Sequence, residues 1–434
     1  MSHLPVAIIG GGPVGLAAAA HLIERNIPFV LLEAGNEVGA SIRQWGHIHL
    51  FSPWKFNVNK AAKQLLEMDG WLHPNDEDFH TGDELVDIYL KPLANHRQLK
   101  PFIHYNSRVK AVGRKGIDKL KTKGRDQVPF TIRYEQEQRI KTIEAKAVID
   151  ATGTWQNPNP VGSGGIMAEG EERFSNKITY GIPAVLSKQR STYAGKSVLV
   201  VGSGHSAINS IIELSELQKQ EPTTKITWAL RKQTVEEAFG GGEADALPAR
   251  GALGLKIKEL VSARMIEVVT PFYIEEISGK DTLVVKGQLG EEYKELTGID
   301  QIITNTGARP DFDFLKEVRI SYDSAVESVP ALAPLIDPNL HSCGTVRPHG
   351  EKELRQPEEN LYIVGMKSYG RAPTFLLATG YEQVRSVVAK LVGDLDAAER
   401  VELDLPKTGV CTTNRPQTKK AIPLTVTAKP TSCC

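Results

Sequence analysis

A strand-like apolar run, Val6-Ala7-Ile8-Ile9, passes directly into Gly10-Gly11-Gly12-Pro13-Val14-Gly15, a Gly-x-Gly-x-x-Gly turn. No other stretch restricts the fold as sharply. A helical stretch, Leu16 to Arg25, follows, and a second apolar run, Phe29-Val30-Leu31-Leu32, ends at Glu33. Strand, turn, helix, strand and acid in that order describe a βαβ unit that binds a dinucleotide. Gly10 makes the tight turn, Gly12 lets the backbone approach a pyrophosphate, and Gly15 lets helix and strand pack closely. The helix N-terminus offers free N–H groups and a positive dipole end to phosphates. Glu33 is placed to accept hydrogen bonds from a ribose diol and would repel a 2′-phosphate. FAD or NAD fits this site and NADP does not.

The pattern recurs. Lys196 to Val201 is a second strand-like run, leading into Gly202-Ser203-Gly204-His205-Ser206-Ala207, a helical stretch from Ile208 to Lys219, and another strand, Lys225 to Leu230. This second unit ends in Arg231-Lys232, a cationic pair that favours a ribose 2′-phosphate. Each unit is followed by an alternating, hairpin-forming stretch (Phe130 onward; Tyr273 to Ile277 with Thr282 to Lys286) and then by a buried strand with Thr-Gly. These are Ala147 to Gly153 and Gln301 to Pro310, which place Thr152, Gly153, Gly307 and Arg309 at matching points. Small residues there let backbone pass close to a flavin or its ribityl chain. FAD is therefore assigned to the first site and NADPH to the second. Arg309 is read as a contact to NADPH phosphate or a support of the hinge between the units.

Between Glu33 and Trp71 lies an aromatic-rich segment with His47, His49, Phe51, Trp54, Phe56 and Asn57. It reads either as a loop and short helix packed on the first unit or as a cover for the reactive end of a cofactor. Asn57 is the candidate polar group near the flavin, against the alternative of a loop-capping asparagine. Trp45 in this segment and Val109, where a strand begins, join the cofactor-contact candidates. Thr81 to Asn95 predicts a capped amphipathic helix. Glu359 to Gly365 is a short strand ending in glycine, followed by a helix through Leu391.

The expected fold class is α/β, with two Rossmann-like dinucleotide-binding domains and the NADPH domain inserted in a split FAD domain. The bounds are 1–185 and 332–395 for the FAD domain, 186–331 for the NADPH domain and 396–434 for a flexible cysteine-containing tail. With 434 residues the chain can build such cores. Lys+Arg and Asp+Glu both number 52, so no basic excess points to nucleic acid or a membrane surface. No apolar run approaches the ~20 residues needed to span a bilayer, and no leader segment is evident, so a cytoplasmic protein is expected. The four cysteines form no disulfide framework. Cys411, Cys433 and Cys434 crowd the tail and are candidate thiolate ligands for a soft metal or metalloid. The oligomeric state stays open, a homodimer included.

Over roughly residues 4 to 395 the chain resembles the two-dinucleotide-binding-domain flavoproteins, and among them the flavin-containing monooxygenases. The resemblance is carried by Gly10–Gly15, by Ala151-Thr152-Gly153-Thr154-Trp155 with Asn-Pro following, and by Gly202-Ser203-Gly204-His205-Ser206-Ala207. In place of the family's Phe-x-Gly-x-x-x-His-x-x-x-aromatic fingerprint stand Phe174, Asn176, Tyr180 and Ala184. The resemblance implies that NADPH reduces the flavin, O₂ adds to give a C4a-hydroperoxyflavin, and a small soft nucleophile takes the distal oxygen. Sulfur, nitrogen or a trivalent metalloid such as arsenite suits that role. The Cys433-Cys434 pair is similar to the C-terminal pair of mercuric reductases and adds a link to arsenic resistance as an expectation. Two other functions are open: an NADPH-dependent flavin reductase passing electrons through the tail cysteines to a thiol, disulfide or soft metal ion, and a non-catalytic nucleotide sensor.

Overall fold

The computed structural model describes residues 3–240, 248–340, 349–373 and 375–403. Strand β1 (Val6–Ile9) is buried along its whole length, as a central parallel strand must be. The helix Pro13–Glu24 crosses over to β2 (Phe29–Leu32), and β3 (Ile103–His104) adds to the edge. Strands β4 (Arg108–Arg114), β5 (Phe130–Gln136) and β6 (Arg139–Ala145) form an antiparallel meander, and β7 (Ala147–Asp150) returns to the first sheet. There Val6 to Ile9 pair in parallel with Phe29 to Leu32 on one side and with Ala147 to Asp150 on the other.

The chain then enters a second unit. Strands β8 (Ile178–Tyr180), β9 (Ser197–Val201), β10 (Lys225–Ala229) and β11 (Glu267–Val269) join a second parallel sheet, with the helix His205–Gln220 between β9 and β10. A second antiparallel meander follows: β12 (Phe272–Gly279), β13 (Leu283–Leu289) and β14 (Glu292–Ile299). Strand β15 (Gln301–Thr304) sits between β8 and β9, and β16 (Leu361–Ile363) closes the first sheet against β7. The sheet orders are β16-β7-β1-β2-β3 and β11-β10-β9-β15-β8. The helix Leu377–Leu391 packs on Pro13–Glu24.

Two sheets of like order, one inserted in the other's sequence, match the expected fold class. The inserted unit differs in extent from the expectation of 186–331. Strand β8 lies before residue 186 yet pairs with β15, while Leu315, Val318, Val326 and Val329 pack into the first core. Both crossings run side by side at the Pro158–Ala308 bridge, so the unit starts before residue 186 and ends before residue 331. The tail from residue 404 onward, with Cys411, Cys433 and Cys434, lies outside the described residues.

The segment Thr81–Asn95 is not one regular helix. Thr81 caps it as expected, accepting from the Glu84 N–H while Glu84 accepts from the Thr81 N–H at 2.7 Å. The turns then widen through Leu85–Leu90 before Lys91–Asn95 resumes the α form. Pro92, which has no N–H to give, sits at the junction. Far from the loops, Glu358 joins the first domain's separate stretches. Burial pushes its carboxyl up, but bonds from Arg125, the Arg319 N–H and Arg114 hold it below the usual range.

Candidate functional site: a cavity between two glycine loops

In the first loop, Gly10 has φ +105°, and a Cβ there would lie 2.7 Å from the Ala151 carbonyl oxygen. A Cβ on Gly15 would lie 2.0 Å from the Gly10 carbonyl oxygen. Both glycines are therefore demanded by the protein's own packing. Gly12 is different: nothing lies within 4 Å of where its Cβ would stand. It caps the helix Pro13–Glu24 with extended backbone and no side-chain cap, so the helix N–H groups are left for a ligand. Glu33 accepts the Gly11 and Gly35 N–H groups, each at 2.6 Å, which fixes the carboxylate at the end of β2.

The second loop repeats the arrangement. Gly202 has φ +131°, and a Cβ would lie 2.3 Å from the Asn305 carbonyl oxygen. Gly204, like Gly12, has nothing within 4 Å and caps its helix without a side-chain partner. Ala207, in the place of a third glycine, is fully buried. The Gly202 carbonyl instead accepts the Trp228 indole N–H at 2.7 Å.

Both loops open into one cavity of about 1430 Å³. A single ligand site typically spans about 300–1,000 Å³, so there is room here for two dinucleotides. From the first domain it is lined by Gly10, Gly12, Pro13, Glu33, Trp45, Val109, Thr152, Gly153 and Gly365, and from the second by Ser203, Gly204, His205, Ser206 and Lys232. Gly15 and Gly202 stand behind this wall and shape it. The uncapped helix start, the open face of Gly12 and the seated Glu33 carboxylate fit FAD in the first half, and the open face of Gly204 matches them in the second. Uncapped N–H groups with Lys232 fit NADPH in the second.

Four sequence candidates lie elsewhere. Asn57 is fully buried and does not reach the cavity. Its carboxamide accepts from the Ser52 hydroxyl (2.9 Å) and donates to the Ser52 carbonyl and His80 Nε2 (both 2.8 Å). Burial lowers the His80 pKa, which keeps the ring neutral and able to accept that bond. The group lining the cavity is Ser52, and Asn57 holds it there. Arg231 points outward and donates to the Ser163 carbonyl at 2.7 Å, leaving Lys232 as the member of the pair that lines the cavity. Gly307 accepts the Asn159 N–H at the crossing (2.9 Å). Arg309 pairs with Glu327 through Nε at 3.1 Å, in a separate cleft that includes Asn157 and Tyr322. It does not line the main cavity.

Sequence reasoning missed three features. Arg250, from the helix Pro248–Ser262, lines the cavity together with Lys232. Tyr180, standing where the monooxygenase fingerprint has histidine, donates to fully buried Glu171 at 2.6 Å. Burial pushes the phenol pKa up, and Glu171 adds to that shift while accepting the N–H groups of Val161, Gly162 and Ala168. Lys367 is buried beside Thr152 at 3.2 Å. No spacing signal marks any of these contacts.

The chain matches the model of the family described as "Pyridine nucleotide-disulphide oxidoreductase" over residues 7–335. It is 28% identical to a ferredoxin–NADP reductase of Lactiplantibacillus plantarum, over 70% of this chain and 72% of that protein. It is 30% identical to the probable indole-3-pyruvate monooxygenase YUCCA8 of Arabidopsis thaliana, over 48% of this chain but only 44% of that protein. Among solved structures, bacillithiol disulfide reductase from Staphylococcus aureus aligns with TM-score 0.64 and 20% identity, covering 91% of this chain and 99% of that one. The cadaverine monooxygenase DfoA of Erwinia amylovora aligns with TM-score 0.61 and 13% identity, over 96% and 100%. At these identities the structures speak for the fold alone. Among the described residues no helix is long and apolar enough to cross a membrane.

Two outcomes follow from this geometry. Gly12→Val should fold with the melting temperature of the flavin-free wild type yet retain no FAD, because its Cβ meets no protein atom and would stand where the pyrophosphate lies. Stoichiometric flavin in the purified variant would contradict the assignment. Lys232→Ala should raise the NADPH KM about tenfold to a hundredfold, the ~1.5–3 kcal/mol of a charge-assisted phosphate contact, and leave NADH unchanged. Arg231→Ala should change neither, and a selective NADPH loss in that variant would return the discriminating role to Arg231.

Proposed function

The chain belongs to the pyridine nucleotide-disulphide oxidoreductase family and is an oxidoreductase using FAD and NADPH, and from that premise we propose that it is a monooxygenase of a small soft nucleophile. Sulfur, nitrogen or a trivalent metalloid such as arsenite is the atom oxygenated, with arsenite the version the cysteine tail favours. One observation supports this reading: the wall of the shared cavity carries a group of apolar side chains. Ile48, Leu50, Phe51, Ile182, Phe375 and Leu376 line it. An oxygenase needs water kept away from the flavin, which apolar side chains serve.

When bound, FAD reduced by NADPH supplies the chemistry with O₂. The chain's residues supply placement. The uncapped helix ends at Gly12 and Gly204 hold the two pyrophosphates, Glu33 the FAD ribose, and Lys232 with Arg250 the 2′-phosphate. Contacts across the cavity keep the halves together: the Phe51 ring meets His205 edge-on at 5.3 Å, and His47 lies 3.4 Å from Glu213. Trp155 donates to Gln44 at 2.9 Å and packs on Trp45, which fixes the first crossing against the aromatic segment.

The family's name and the tail cysteines favour one other reading, an NADPH-dependent reductase that delivers electrons through Cys411, Cys433 and Cys434. Oxygen-electrode measurements on the full chain and on a chain ending at Leu405 separate the two. The oxygenase reading expects NADPH-driven O₂ uptake stimulated by arsenite or a small thiol. Truncation keeps the flavin and removes the arsenite stimulation. Turnover with a disulfide or metal ion under anaerobic conditions, lost on truncation, would establish the reductase instead.

A further inference from the structure

The function just described gives Lys367 no role, yet its surroundings are unlike those of an ordinary lysine. Its ammonium donates to Asp150 Oδ2 at 2.6 Å, and both side chains are 0% exposed. It also reaches the Thr152 hydroxyl oxygen at 3.2 Å. The other Asp150 oxygen accepts the Thr152 N–H at 3.1 Å and its O–H at 2.8 Å. Both members of the ion pair thus hold Thr152, which with Gly153 forms the cavity wall. Gly365 and Met366, on the turn that carries Lys367, line the same wall. On another side the ammonium stands 4.5 Å from the ring centroid of Phe314, which also lines the cavity. The ion pair therefore sits one side chain behind the cavity surface, its ammonium backing that surface at Thr152, at the Gly365–Met366 turn and at Phe314.

Removing two charges from water costs several kcal/mol per ion, so an apolar pair would serve simple packing at least as well. The charge itself has an effect that packing does not. In a wall of low dielectric the field of each charge reaches the cavity with little screening by solvent, the Asp150 carboxylate offsetting part of the ammonium's. Hydride transfer from NADPH brings two electrons and one proton to the flavin, oxidises the nicotinamide to NADP⁺ and leaves one added negative charge on the reduced ring system.

We propose that Lys367 is a positioning residue of the flavin site, whose buried ammonium locks the Thr152–Gly153 turn and raises the reduction potential of the bound flavin. Asp150 opposes it in charge while sharing the same bonds. The inference rests on the assignment of FAD to this cavity.

The test is the midpoint potential of the FAD-loaded full chain, measured by equilibration with a reference dye, in the wild type and in Lys367→Met and Asp150→Asn. Lys367→Met should lower the potential by the equivalent of about tenfold in the reduced-to-oxidised ratio, about 30 mV for a two-electron couple. Asp150→Asn should shift it the opposite way by at least threefold. A purely structural role cannot give shifts of opposite sign. Equal shifts, shifts of the same sign, or no shift would overturn the proposal. Should Lys367→Met retain no flavin, Asp150→Asn decides alone, since it keeps the lysine and a near-isosteric acceptor: a raised potential supports the proposal, and an unchanged or lowered one overturns it. A wild-type protein that binds no FAD would refute the cofactor assignment, a result separate from either outcome.

Discussion

The closeness of the Gly15 backbone to the Gly10 carbonyl is the constraint from which the first domain's site follows. With no room for a Cβ at Gly15, the helix Pro13–Glu24 starts directly over the end of β1, and its unpaired N–H groups point at one place. Gly10 in turn lies against Ala151, so the loop after β1 and the loop after β7 meet there. The parallel pairing of β1 with β2 and β7 then brings Glu33, Gly12 and Thr152 to the same end of the sheet. In the second domain the same end is built with Ala207 in the third position, and the Trp228 indole takes the Gly202 carbonyl. Two versions of one packing solution face each other across a shared cavity.

Much of this was legible in the sequence because it is local. The strands, the glycine turns and the meanders have short-range signatures, and the repeat of their order gave the two-unit architecture. What was not legible depends on direction or distance. Arg231 and Lys232 are adjacent just past β10, where the chain bends and sends the two side chains different ways. A cationic pair is visible in sequence; which member faces the ligand is not. Asn57 has the composition of a site residue, but its carboxamide is used up by Ser52 and His80. Lys367 and Asp150 are 217 positions apart, and only the return of β16 beside β7 joins them.

The domain bounds show the same division. The second unit's sheet recruits β8 from the stretch before Lys196, where an edge strand of three residues has no periodicity to announce it. After β15 the chain goes back to the first core through Leu315 and Val318. The crossings at Pro158 and Ala308 therefore form a narrow double connection, with the Arg309–Glu327 pair beside it. Phe51 and His205, with His47 and Glu213, join the two units on the cavity side. These contacts keep the two glycine loops facing one cavity, which the oxygenase reading requires.

The most direct measurement is stopped-flow absorbance of the protein reduced anaerobically with NADPH and then mixed with O₂. The account predicts a transient species, distinct from both reduced and oxidised flavin, whose decay quickens when arsenite or a small thiol is present. A single-step return to oxidised flavin, at a rate indifferent to any added nucleophile, would contradict it.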